Sequence, residues 1–363
     1  MISEAFAPTY AQARARFRAA AQARNADLTE HVHAGAKGPD GEALAIDVAR
    51  VGRLDAPGLL VVTSGTHGIE GFCGSGIQVA LLQDGAVTRA LDRAGCELAL
   101  VHAVNPYGFA HLRRVNEDNV DLNRNFRDFS APIAPNPAYA DVHAFIVPTA
   151  WPPGANTEQA LQAYLAKQGP AKLQAAVSVG QYEYPDGLFY GGAAPAWSNL
   201  TLRNFFRTHG AGRARLGWID IHTGLGPAGH GEKIYSGPDD SSLLARTRAW
   251  FGADVTSFYA GSSSSAAVTG SISAAALDAC PAADYAGIGL EFGTLPLEHV
   301  LQALRADQYL FLHPDAPEPL RAGIKRAVRD AFFVDNDEWK GMVYGQARVA
   351  VFQALQGLSE TPA

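Results

Sequence analysis

Four short apolar runs constrain the fold more than any other feature of the chain: LLVVT (59–63), ELALVHAV (97–104), LGWIDIH (216–222) and YAGIGLEF (285–292). Each reads as a buried strand. Helical-period segments lie between and after them, at 72–82, 159–177, 241–251, 297–311 and in a pair across 319–355. Near-continuous apolar strands interleaved with helices predict an α/β layered fold, with helices on both faces of a largely parallel sheet. No internal repeat or hinge-like shift in composition interrupts the pattern, so a single domain over 1–363 is expected. The stretch 130–154 is rich in proline, alanine and asparagine and reads as a long surface excursion. Residues 224–229 (GLGPAG) read as a glycine-rich loop after a strand.

Hydrophobic residues make up 47% of the 363, which is ample for a core, and the formal net charge of −7 offers no footprint for nucleic acid or an anionic membrane. No apolar run is long enough to span a bilayer. The first 28 residues carry arginines at helical spacing and no continuous apolar stretch. They predict a surface amphipathic helix and not a signal peptide, and the expected compartment is the cytoplasm. Cys73, Cys96 and Cys280 are too few for a disulfide framework, show no CxxC pairing, and read as small core residues.

Polar and ionisable residues follow directly on the strand ends, where open α/β sheets build their sites. After LLVVT comes HGIEG, in which His67 and Glu70 are three residues apart, so one turn points both the same way. An imidazole and a carboxylate converging there suit a metal site, although HxxE alone equally describes a satisfied polar cluster. After ELALVHAV comes NPYGF (105–109), then Arg113, Arg114 and DLNRNF (121–126). Arginine and asparagine together suit bidentate binding of a carboxylate and stabilisation of an oxyanion. In LGWIDIH, His222 and Asp220 share one face of an extended strand. Asp220 fits either a hydrogen-bond partner of a ligating histidine or a loop cap. Glu291 is a carboxylate inside an apolar strand, either one half of an ion pair or a general base with a tuned pKa.

Other chemistries lack their defining segments. GLGPAG matches GxGxxG, but Pro227 and the following GHGEKIYSG do not open a helix that would hold a pyrophosphate. GxxxxGK[ST], GxSxG and HExxH are absent.

In order, HxxE, NPYGF, DLNRNF, DIHTG and a late LEFGT resemble the zinc carboxypeptidase superfamily, the carboxypeptidase A-like hydrolases, over most of the chain. The runs HTGLGPAG, YPDGLFYGG and EFGT further resemble an uncharacterised bacterial branch of it, related also to succinylglutamate desuccinylase and aspartoacylase. The resemblance implies a three-layer α/β/α fold with a mixed, largely parallel sheet. It implies one zinc ion per chain on His67, Glu70 and His222, and Glu291 as the general base. It makes Arg114 the residue that polarises the scissile carbonyl, with Arg113 the fallback by one position, and it has Asn123 and Arg124 grip a terminal carboxylate. Tyr107 stands where the peptidases usually have aspartate. None of Tyr235, Tyr259 and Tyr285 sits in a motif that marks it as the substrate-capping tyrosine.

The expected activity is zinc-dependent hydrolysis of an amide bond next to a free carboxylate, on a small peptide or, alternatively, an N-acyl amino acid. A binding protein that has lost activity is a further reading, opposed by the completeness of the residue set; homo-oligomerisation stays open. The region 130–192 is longer than a minimal peptidase needs and is expected as an insertion near the active-site face. Its YPDGLFYGG (184–192) fits a substrate-facing loop and a packed Ω-type loop equally well. The stretch GSSSSAAVTGSIS (261–273) has no acidic residue, which disfavours an obligatory basic side chain on the substrate.

Overall fold

The computed structural model describes residues 2–359. One seven-stranded sheet organises them, built from β1 (Asp27–Lys37), β2 (Ala43–Gly52), β3 (Gly58–Thr63), β4 (Glu97–His102), β5 (Arg215–Ala228), β6 (Gly231–Tyr235) and β7 (Asp284–Gly293). The strand order is β1-β2-β4-β3-β5-β7-β6. The central four strands, β4, β3, β5 and β7, run parallel and are the four read from the apolar runs. Antiparallel β1 and β2 extend one side, and antiparallel β6 closes the other.

Alternate residues of the central strands feed two separate cores, as the two-residue period of a strand requires. Leu60, Val62, Leu98, Leu100, Ile219 and Ile221 enter one core. Leu59, Val61, Ala99, Val101, Leu216 and Trp218 enter the other. Helices cover both faces, so the architecture is the three-layer α/β/α sandwich expected. The helix Tyr10–Ala23 is amphipathic as anticipated, burying Tyr10, Ala13 and Phe17 while Arg14 and Arg18 pair with the fully buried Asp47. No helix of the described residues is long and apolar enough to cross a membrane.

Three local expectations are corrected. The excursion at 130–154 contains a helix, Pro137–Ile146, whose Tyr139, Val142 and Ile146 are buried; Asn136 caps it and Pro137 occupies its first turn. The helix expected over 159–177 is two, Ala155–Gln168 and Pro170–Ser178, because Gly169 takes a φ of 81° and Pro170 has no N–H to continue the ladder. GLGPA is not a loop but the end of β5, with Gly224 at φ 125° and a register shift between Thr223 and Ala228.

Candidate active site

The carboxyl ends of β3, β4, β5 and β7 meet at a cavity of about 670 Å³. β3 leads into the turn that carries His67 and Glu70. That turn lies against the chain after β4: Gly68 N donates to Arg114 O at 3.0 Å and Ile69 N to Arg113 O at 2.8 Å. A β-carbon at Gly68 would sit 2.1 Å from the Gly108 carbonyl carbon, so only glycine lets NPYGF close on HGIEG.

His67, Glu70 and His222 converge, with one potential ligand atom from each lying within 4.8 Å of the others. His67 Nδ1 is 2.8 Å from Glu70 Oε1, and His222 Nδ1 is 2.9 Å from Glu70 Oε2. The two Nδ1 atoms face each other at 3.2 Å. Two imidazole nitrogens and a carboxylate aimed at one point are a donor set for a divalent metal of the zinc type. The far side of each imidazole is also held. His222 Nε2 is 2.6 Å from Asp220 Oδ2, whose other oxygen accepts from the hydroxyls of Thr63 and Thr66. His67 Nε2 lies 3.2 Å from Asp121 Oδ1. Such partners fix ring orientation and tautomer.

Electrostatics reinforce the cluster. Burial works against the charge on Glu70, but His67 and His222 outweigh it and hold the carboxyl below its ordinary range. Burial likewise opposes a charged His222, and the adjacent Asp220 raises its pKa well above the usual value. Asp121 is fully buried, yet Arg114 and His67 keep it well below the carboxylate range. Glu291 goes the other way: burial, with the charge of Glu70 second, pushes it up to about 8. Its Oε1 accepts from Leu225 N at 3.1 Å.

Arg114 reaches into the cluster, donating to Glu70 Oε1 and Asp121 Oδ2, each at 3.1 Å, and approaching His67 Nε2 at 2.8 Å. Arg113 does not line the cavity. Its guanidinium turns away to Asp307 (2.9 Å) and Asn119, against the ring of Phe311. Asn123 and Arg124 line the cavity. Asn123 Oδ1 accepts from Ile272 N at 3.0 Å. Arg124 is 3% exposed, and its partners are the carbonyls of Ser178 and Asn123. It has no carboxylate within ion-pairing distance among the described residues, and burial lowers its pKa to about 10. A guanidinium has five N–H groups, so three bonds to carbonyls leave two free.

The helices Ala155–Gln168 and Pro170–Ser178 form one wall of the cavity through Leu161, Leu165, Leu173 and Val177. A second wall, with Ala266, Val268 and Ile272, is tied to the first where Gln174 Nε2 donates to Ser264 O (3.0 Å) and Thr269 N to Val179 O. Val300, Leu301, Leu304 and Phe332 supply a third, beside Glu291. Of YPDGLFYGG, Phe189 faces the cavity, Tyr184, Leu188 and Tyr190 pack on the cores, and Pro185 is exposed. Tyr235 lines the cavity, but its buried hydroxyl has no partner; Tyr285 donates to Ser236 O and Tyr259 is largely exposed. None of the three bonds to the His/Glu/His group. Motif reading passed over Asp121 as a site residue, although its place at the head of DLNRNF, beside a cluster of arginines, was a signal for it. Phe189 gave no signal in the sequence.

Solved structures similar to this chain include bovine thrombin-activatable fibrinolysis inhibitor in complex with tick carboxypeptidase inhibitor, at 12% identity and a TM-score of 0.49, with 99% of each chain covered. Carboxypeptidase A from Helicoverpa armigera is similar at 14% identity and a TM-score of 0.44, over 88% of this chain and 73% of that one. An aspartoacylase family protein from Mesorhizobium loti is similar at 15% identity and a TM-score of 0.34, over 79% and 66%. A comparison with curated protein sequences found no match. The family model described as "Protein of unknown function (DUF2817)" matches residues 6–346, and the chain belongs to that family.

Proposed function

We propose that the protein is a zinc-dependent hydrolase that cleaves an amide bond next to a free carboxylate. The observation that carries this reading is Arg124, a buried guanidinium with no carboxylate at ion-pairing distance among the described residues, lining the same cavity as His67, His222 and Glu291. A buried cation calls for an anion, and arginine suits a carboxylate.

In this reading His67, Glu70 and His222 would hold zinc, which when bound supplies Lewis acidity that makes water a nucleophile near neutral pH. Asp220 and Asp121 hold the two imidazoles. Glu291 takes the proton from the attacking water and returns it to the leaving amine. Burial and the charge of Glu70 raise its pKa, and a cation held by the three ligands would offset the Glu70 contribution and leave the carboxylate free to accept that proton. Arg114 draws on the scissile carbonyl oxygen as charge develops there. Arg124, with Asn123, anchors the substrate carboxylate. The apolar walls favour uncharged groups on the substrate, and no carboxylate at 261–273 is available for a basic one.

A C-terminal peptide residue and an N-acyl amino acid present the same amide and carboxylate. The test is metal content of the purified protein, with hydrolysis of N-acyl amino acids and blocked dipeptides before and after chelation. The panel carries phenylalanine, leucine and lysine beside the carboxylate. The expected result is about one zinc per chain, as for a single site of this ligand type, and chelator-sensitive release favouring phenylalanine or leucine. A protein without metal, and without activity when zinc is restored, would overturn the reading. The buried, unpaired cysteines suit a cytoplasmic setting.

A further inference from the structure

Phe189 holds a backbone conformation that aromatic residues rarely take. Its φ is 53°, in the left-handed region where a β-carbon crowds the neighbouring carbonyl. Glycines stand nearby at 187, 191 and 192, yet the left-handed position falls on the phenylalanine. The turn is clamped so that it cannot relax. Leu188 N donates to Tyr139 Oη at 2.7 Å, Phe189 O accepts from Gln181 N at 3.2 Å, and Tyr190 O accepts from Asp121 N at 2.8 Å. Asn119 Nδ2 donates to the carbonyls of Pro185 and Gly187. Strain that persists because its surroundings enforce it tends to gather at working sites.

What the strained turn delivers is the ring. It lies 4.9 Å from the guanidinium carbon of Arg114 and 5.4 Å from that of Arg124. Those two cations repel each other, and the carboxylate acting on Arg124, that of Asp121, is hydrogen-bonded to Arg114 and not to the Arg124 guanidinium. The negative face of one aromatic ring attracts both, and a guanidinium held by its face keeps its edge N–H groups for hydrogen bonds.

Resting on the function proposed above, we propose that Phe189 is a positioning residue: an aromatic plate that holds Arg114 and Arg124 in fixed relation. The two guanidiniums then meet the carbonyl oxygen and the carboxylate of one substrate together. Removing the ring leaves both arginines on their hydrogen bonds but takes away the one group that touches both guanidinium faces.

The first test needs no substrate. In protein labelled with ¹⁵N-arginine, the Nε–H resonances of Arg114 and Arg124 are assigned with Arg114→Lys and Arg124→Lys. A ring above them shifts these signals upfield. Phe189→Leu and Phe189→Gly should return them towards ordinary arginine positions and speed their exchange with water, while Phe189→Tyr restores them. Phe189→Gly accepts the positive φ without strain, so it separates loss of the ring from damage to the turn. Unchanged signals in both ring-less variants would overturn the proposal.

The second test is calorimetric binding of N-acetyl-L-phenylalanine and of its amide to metal-loaded protein in a Glu291→Gln background, which keeps the metal and does not turn the acid over during the titration. Phe189→Leu should weaken the acid about tenfold, the scale of a desolvated cation–π contact, and leave the amide nearly unchanged. Equal weakening of both would make the ring a plain packing element and overturn the proposal. Failure of the protein with Phe189 intact to prefer acid over amide would instead sink the carboxylate reading, with the arginine signals still deciding whether the ring orients the pair.

Discussion

His222 and Glu291 are register partners on the neighbouring parallel strands β5 and β7, so an imidazole and a carboxyl group leave the same face of the sheet side by side. Glu291 lies outside the converging His67, Glu70 and His222 group, so under the proposed function its contribution is testable apart from metal binding. Glu291→Gln should keep the metal and lower kcat roughly 10²- to 10⁴-fold, the usual contribution of a general base. Metal analysis and steady-state rates on the same preparation check this; turnover near wild type would remove Glu291 from the chemistry.

Asp220 carries the outer nitrogen of His222 at 2.6 Å. Asp220→Asn should weaken zinc roughly 10- to 100-fold, as loss of such partners does, and His222→Ala should abolish stoichiometric binding. Competition against a chelator of known affinity measures both. A stoichiometric metal content in His222→Ala would exclude it as a ligand.

Arg124→Ala should raise KM for carboxylate substrates roughly 10- to 100-fold, the worth of a hydrogen-bonded charge, and change KM for the corresponding amides little. Matched acid and amide substrates give the comparison. An equal effect on both would mean that Arg124 serves only the carbonyls of Ser178 and Asn123.

Arg305 is fully buried and joins two cavity walls, donating to Glu158 Oε1 at 2.9 Å and to Phe145 O at 2.8 Å. Arg305→Ala strands that carbonyl and leaves a void, so it should cost about 3 kcal/mol. Urea unfolding measures the loss, and a midpoint equal to wild type would show the walls to be held by other contacts.

His102 supplies a pH dependence away from the candidate metal group. It is fully buried, stacked on Phe17 at 4.5 Å, with Nε2 2.9 Å from Ser75 Oγ and Nδ1 without a partner. Burial lowers its pKa from 6.5 to about 4. The unfolded chain therefore binds a proton that the native ring refuses, and stability falls as pH drops from about 6.5 towards 4, by roughly 1.4 kcal/mol per unit. Above 6.5 the effect vanishes. His102→Gln should flatten that fall, read from urea midpoints at pH 7.5, 6 and 5 after chelation of both proteins. Parallel pH profiles would refute it.

The central strands were legible because parallel strands covered on both faces must be apolar throughout. β2 was not, although it is nearly all buried, because Asp47 and Arg50 interrupt its apolar pattern. Both are accommodated by partners far along the chain: Arg14 and Arg18 meet Asp47, and Glu97 meets Arg50. β1 is mostly exposed, with no apolar face to recognise. The helix Pro137–Ile146 was hidden by asparagine and proline, the residues that start it. At the site, His67, Arg114, Asn123, Arg124, His222 and Glu291 stood in motifs and line one cavity, with Glu70 converging on the two histidines. Phe189 could not be read, because its place depends on a positive φ and on two arginines brought to it by the fold.

The cavity draws His67, Asp220, His222 and Glu291 from strand ends and the turns that follow them, and one of its walls from the helical pair Ala155–Gln168 and Pro170–Ser178. Under the proposed function, the groups assigned to the chemistry and the apolar surface offered to a substrate side chain lie in different stretches of the chain. Substitutions at Leu161, Leu165, Leu173 or Val177 change the shape offered to a substrate and leave the sheet that carries His222 and Glu291 as it is. Relatives that share the strand ends but differ between 155 and 178 would then perform one reaction on different molecules, and exchanging that helical pair between them is a direct route to altered preference.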